Sequence, residues 1–129
     1  PRLLELAESN NWKGLTEDDK QRAKWSGLFF RKPTPGHFMM RVRFIAGRTN
    51  SQQWKTLADL GDEFGKGFCD LTTRQQLQLR WFTLGDTPEI WRRLESVGLT
   101  TAQTGMDSIR GLSSCAVSGL SQHEAFDAY

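Results

Sequence analysis

Two stretches of alternation constrain this chain more than any other feature. In the first, Phe38, Met40, Val42 and Phe44 alternate with Met39, Arg41, Arg43 and Ile45. In the second, Leu77, Leu79 and Trp81 alternate with Gln76, Gln78, Arg80 and Phe82. A repeat of two is that of a β-strand with one covered face, so each stretch needs an apolar layer on one side only. Helical patterns follow both. Asn50 or Ser51 can cap a helix whose Trp54, Leu57, Ala58, Gly61 and Phe64 share a face with Leu60 beside them, stopped by Gly65 and Gly67. Thr87 before Pro88 reads as the N-cap and first turn of another, striped by Ile90, Trp91, Leu94 and Val97 and closed by Gly98.

Short strands at Gly67 to Thr72 and Leu99 to Gln103 complete the order strand, helix, strand, strand, helix, strand over residues 38 to 104. That order is the split unit of the ferredoxin-like plait, an α+β fold. Ahead of it, residues 1–26 read as a helical arm. Leu3, Leu4, Leu6 and Ala7 form a short helix broken by Asn10, Asn11 and Gly14, and Thr16 with Asp19 caps a second through about Lys24. An apolar run, Gly27 to Phe30, precedes the Pro33-Thr34-Pro35-Gly36 turn, so the half-domain is taken as residues 27–104. Residues 105–129 are small and polar, the incomplete start of a further domain, with a final helix near Ser121 to Tyr129.

Lys and Arg number 17 against 15 Asp and Glu, a formal charge of +2, so any anion-binding role must come from local clustering. Cys69 and Cys115 match no metal or redox spacing, which argues against a zinc site or a disulfide scaffold and for a reducing compartment; Cys115 reads as a small buried thiol. His37 and His123 have no partner at ligand spacing and read as surface residues. No run approaches the roughly eighteen apolar residues of a membrane span, and no secretory signal opens the chain. The chain starts at Pro1, as a processed product or a portion of a longer protein does.

In the plait the two alternating strands are the central pair. Their apolar sets must meet the helices, which puts Arg41, Arg43, Gln78 and Arg80 on the open face with Arg74 at its edge. Guanidinium forks stay charged and donate paired hydrogen bonds to carboxylates and oxyanions, so this face suits anions. A plain solvated sheet face would also carry arginines. RNA-recognition domains share the plait but set aromatic residues there, and here only Phe82 is aromatic, which argues against nucleic acid.

Several separated motifs then fall in register. Gly27-Leu28-Phe29-Phe30, Pro35-Gly36-His37-Phe38-Met39-Met40-Arg41-Val42-Arg43, Leu71-Thr72-Thr73-Arg74-Gln75 with Gln78 and Arg80, Ser96-Val97-Gly98-Leu99-Thr100, and Gly105-Met106-Asp107 leading to Arg110 resemble the ferredoxin-dependent nitrite and sulfite reductases. The resemblance runs from about Trp12 to the end. It implies six-electron reduction of nitrite or sulfite at a siroheme coupled to a 4Fe-4S cluster, ferredoxin as electron donor, and a place in the bacterial cytoplasm or the chloroplast stroma. Arg41 and Arg110 carry over as the residues that bind the substrate anion. Arg74, Gln78 and Arg80 carry over as holders of siroheme carboxylates, with Arg43 a helper. Asp70 and the Gly-Met-Asp turn resemble the nitrite branch.

The family's usual Asn, Asn and Pro around that arginine are replaced by Ser108, Gly111 and Ala116. The cluster's ligands would lie in the remainder of the reductase chain, so the portion in hand is expected to be inactive alone. The family also pairs two plait halves, and one half by itself is expected to leave an edge strand open to dimerisation. A non-catalytic module that binds an anion, a tetrapyrrole or a partner is the competing reading.

Overall fold

The structure, a computed structural model, describes residues 2–106 and 108–125. Helices α1 (Arg2–Glu8) and α2 (Glu17–Ala23) lead into strand β1 (Leu28–Phe30) and strand β2 (Phe38–Val42). Helix α3 (Ser51–Phe64), strand β3 (Asp70–Leu71), strand β4 (Leu77–Arg80) and helix α4 (Thr87–Ser96) follow. The strands form one antiparallel sheet in the order β1-β2-β4-β3, with β2 and β4 at its centre.

The helix starts follow from local chemistry. Thr16 and Asp19 exchange side-chain and backbone hydrogen bonds as a capping box for α2, and Asn50 with Gln53 does the same for α3. The N-cap of helix α4 lies one residue before the expected one, so the helix begins at Thr87 itself. Asp86 is the N-cap, held by Thr83, whose N–H and Oγ1–H donate to its carboxylate at 2.7 and 2.8 Å. Thr87 is instead fully buried in the first turn.

The core lies between the sheet and α3 and α4. Phe38, Met40, Val42 and Phe44 meet Leu77, Leu79, Leu57, Leu60, Ile90 and Leu94 there, all buried. Each such side chain contributes about 1.5–3 kcal/mol relative to exposure. On α3 the buried stripe centres on Leu57, Leu60 and Gly61, which leaves Ala58 exposed and Trp54 at the margin with its ring against Phe44, against expectation. Residues 2–26 share this core through Ala7, Leu15 and Ala23.

Two further expectations are corrected. Trp81 does not face the helices, because its backbone is left-handed (φ 74°) and that twist reverses the alternation at the end of β4. Phe82 is therefore the residue 1% exposed in the core. Trp81 packs at the surface against His37 and beneath the Lys66 ammonium, 4.1 Å from the ring centre. Nor does Leu99 to Gln103 form a strand. One bridge joins Arg43 to Thr100, after which Thr101 Oγ1 donates to the Ser26 carbonyl and Gln103 N–H to that of Trp25. The edge of β2 that this segment would need is taken by β1, with Arg41 N–H donating to Gly27 O at 3.0 Å. No helix occurs over residues 121–125, and residues 126–129 lie outside the described residues.

On the outer face of α4, Glu89 accepts from both Arg92 and Arg93, and Arg93 also reaches Glu63 on α3 at 2.7 Å. Those hydrogen bonds, with the positive charge of the two arginines, hold the Glu89 carboxyl at about 2 against a usual 4.5. A depressed carboxylate stabilises the fold above its unfolded pKa and loses that contribution as pH falls through the folded value. Glu89→Gln should therefore flatten the acid limb of stability between about pH 4.5 and 2, leaving the slope at neutral pH unchanged. Thermal unfolding across that range checks it.

Candidate anion-binding site

The outward face of the sheet is set by the register. Arg41 on β2 lies opposite Gln78 on β4, Met39 opposite Arg80, and Asp70 on β3 opposite Gln78. Phe29, opposite Met39 on β1, places its ring 5.2 Å from the Arg41 guanidinium. Residues 103–106 and 108–111 then line one side of this face. Gly105 permits the approach, because a Cβ there would stand 2.5 Å from the Lys24 carbonyl and 2.8 Å from the Phe29 ring.

The result is a cleft of about 470 Å³ whose lining includes Arg41, Arg43, Arg74, Gln78 and Arg110. Strand pairing and the loop together bring these residues onto one surface. Arg80 is outside that lining. It is ion-paired with Asp70 and donates to Gln78 Oε1 at 3.0 Å. Asp107, of the Gly-Met-Asp motif, lies outside the described residues.

Arg41 is half-buried and only partly satisfied. Its Nη1 donates to the Thr104 carbonyl at 3.2 Å, while its Nε is buried with no hydrogen-bond partner among the described residues. Burial, and then the positive fields of Arg74 and Arg110, pull its pKa below the ordinary arginine range. Buried donors are nearly always paired, so an unpaired one on a guanidinium that shares its cleft with two other cations marks a place for an acceptor-rich anion.

Arg74 and Arg110 are exposed at the rim. Arg43 points its Nη2 at two carbonyls, those of Gln103 and Ile109, both at 2.8 Å.

Two contributors escape the sequence patterns. Phe29 sits in a strand of three residues, too short for alternation to show. Gln76 reads as an open-face residue but is 6% exposed, and its amide pairs with both the N–H and the carbonyl of Phe44 at 3.0 and 3.2 Å. Its polarity hid that burial, and only the missing backbone partner at Phe44 explains it.

The sequence profile of the nitrite/sulfite reductase ferredoxin-like half domain matches residues 30–97, from the last residue of β1 through the other three strands and both covering helices. The chain belongs to the nitrite/sulfite reductase family. Among relatives in this family, it is 45% identical over 121 residues to a ferredoxin–nitrite reductase of Synechococcus elongatus, covering 92% of this chain and 24% of that one. It is 43% identical over 126 residues to the chloroplastic ferredoxin–nitrite reductase of Spinacia oleracea, covering 96% of this chain and 21% of the relative. The solved structure of the Mycobacterium tuberculosis NirA protein superposes with a TM-score of 0.86 at 28% identity, over 98% of this chain and 26% of that one. The chain thus spans about a quarter of the length of the curated relatives it matches. The ferredoxin-like half-domain expected from element order is the fold found.

Family membership raises two cofactors, and the residues answer differently for each. For siroheme, a ring bearing carboxylates, the donor set fits: the guanidiniums of Arg41, Arg74 and Arg110, the Gln78 amide, and an unpartnered buried N–H. For an iron–sulfur cluster they do not fit. No group of three or more His, Cys, Asp or Glu is placed for a metal among the described residues. Burial, then the charges of Asp70 and Asp62, push the Cys69 thiol to about 11, far from the thiolate a cluster needs. Cys115 is exposed, not the buried thiol expected. Among the described residues no helix is long and apolar enough to cross a membrane.

Proposed function

We propose that this chain is the amino-terminal part of a ferredoxin-dependent nitrite reductase, and that its cleft holds the carboxylate rim of siroheme and the nitrite anion beside it. The observation that carries this reading is the convergence of Arg41, Arg74 and Arg110 on one cleft, with Arg41 Nε buried and unpartnered. When bound there, siroheme would supply the redox-active iron for a six-electron reduction of nitrite to ammonium, with electrons from ferredoxin. Arg74, at the rim, and Gln78, on the sheet, donate to carboxylates. Arg80 braces Gln78 through their hydrogen bond, and Arg43 adds positive charge from the cleft wall. Arg41 and Arg110 bind and orient the anion, and their fixed charge stabilises the negative charge that builds on its oxygens. Guanidiniums keep their protons near neutrality, so these groups act by charge and by N–H donation, without transferring a proton.

Ferredoxin as donor, the cluster in the rest of the protein, and a cytoplasmic or stromal setting belong to the same reading, supported by what the relatives are called. The test uses the full-length protein that contains this chain, with photoreduced ferredoxin and nitrite. Nitrite should disappear as ammonium forms in equal amount. Sulfide production from sulfite with nitrite untouched would overturn the nitrite reading.

A further inference from the structure

Arg110 sits on a segment with no regular secondary structure, so something else must hold its guanidinium over the cleft. Two side chains grip that segment, one on each side of Arg110. On the near side, Arg43 Nη2 donates to the carbonyls of Gln103 and Ile109, tying the residue just before Arg110 to the end of β2. On the far side, the Gln75 amide pairs with Ser114 in both directions, donating to its carbonyl at 2.8 Å and accepting from its N–H at 3.0 Å. Ser114 Oγ also donates to Ala46 O at 2.7 Å. Between the grips the chain lies directly on Gln76, where a Cβ on Gly111 would come within 2.7 Å of the Gln76 amide nitrogen.

Both grips stand on fixed ground. The Arg43 backbone N–H bonds Thr100 O at 2.8 Å. Gln75 occupies the tight turn between β3 and β4, where its N–H donates to Thr72 O and Thr72 N–H to Gln76 O. Arg74, the residue before Gln75, has its carbonyl held by Gln76 Nε2 at 3.2 Å. One turn therefore places the rim cation Arg74 and, through Gln75, also reaches the loop of the other rim cation.

We propose that Arg43 and Gln75 are positioning residues, a two-point clamp that sets Arg110 over the anion site. This rests on Arg110 being an anion-binding group, as proposed above, and deepens that reading by giving its altered loop a fixed geometry. Arg43 serves here through two carbonyl contacts, and charge alone does not replace them. Gln75 serves through the reach of its amide, which one methylene less would forfeit.

The test uses the full-length protein with Arg43→Lys, which keeps the charge, and Gln75→Asn, which keeps the amide and tolerates the left-handed backbone at that position (φ 55°). Arg110→Ala is made alone and combined with each. Both clamp variants should raise the nitrite KM about tenfold, the size expected for losing one or two hydrogen bonds that hold a binding group. In the Arg110→Ala background neither should raise it further, because residues that act through Arg110 have nothing left to position. Circular dichroism melts identify any variant that has lost its fold, in which case the other clamp variant carries the comparison. Penalties that add on top of Arg110→Ala would overturn the clamp and leave Arg110 as an anion residue. A silent Arg110→Ala would instead overturn the anion-binding reading on which the clamp rests.

Discussion

Replacing Phe82 with alanine should lower the unfolding free energy of the chain by about 3–5 kcal/mol, as aromatic-to-alanine changes in a closed core do. Strict alternation along β4 would place the penalty one residue earlier, at Trp81. The left-handed backbone there moves the inward direction to Phe82, which is 1% exposed and packs against Phe38 with ring centres 6.5 Å apart. Trp81 covers the surface between His37 and Lys66. Trp81→Gly loses those contacts but relieves a conformation that glycine adopts freely, so its cost should stay within about 1 kcal/mol. Urea denaturation of both variants decides the matter. A larger loss at Trp81 than at Phe82 would restore simple alternation.

Arg41→Met in the full-length protein should reduce kcat/KM for nitrite by at least about a hundredfold, the scale of losing one preorganised charged donor at a reacting anion. Stability should not fall with it. The guanidinium is partly buried, its Nε lacks a partner, and the fields of Arg74 and Arg110 oppose its charge. Methionine keeps much of the chain's length over the Phe29 ring and removes the need to desolvate a cation. Steady-state kinetics and thermal unfolding are read on the same preparation. An unchanged kcat/KM would remove Arg41 from the anion site. A loss of about 3 kcal/mol in stability would mark it as a structural strut, since that is the penalty for breaking a buried charged contact.

How far the site was legible from the sequence can be judged residue by residue. Alternation alone puts Arg41 and Gln78 on one face, and the strand register sets them directly opposite each other. Arg80 has the same parity, but parity says nothing about which neighbour satisfies a charge, and Asp70 on the next strand takes it. Gln76 is buried against its pattern because an amide can replace a missing strand partner, and only the position of Phe44 reveals the need.

The sequence alone determined the layout of the half-domain. Alternation, capping boxes at Thr16 and Asn50, and the helical stripes are local signals, each encoded within a few residues. It also determined the chemistry of the open face, since the side chains of β2 and β4 that avoid the core have nowhere else to go. The edge of the sheet and the depth of the cleft were decided only in three dimensions. Leu28 to Phe30 and the segment after α4 compete for the same row of backbone groups on β2, and the choice between them depends on contacts from distant parts of the chain. Arg110 reaches the cleft for the same reason. Its loop has no periodic pattern of its own, and its place is set by carbonyl and amide contacts to residues more than thirty positions away.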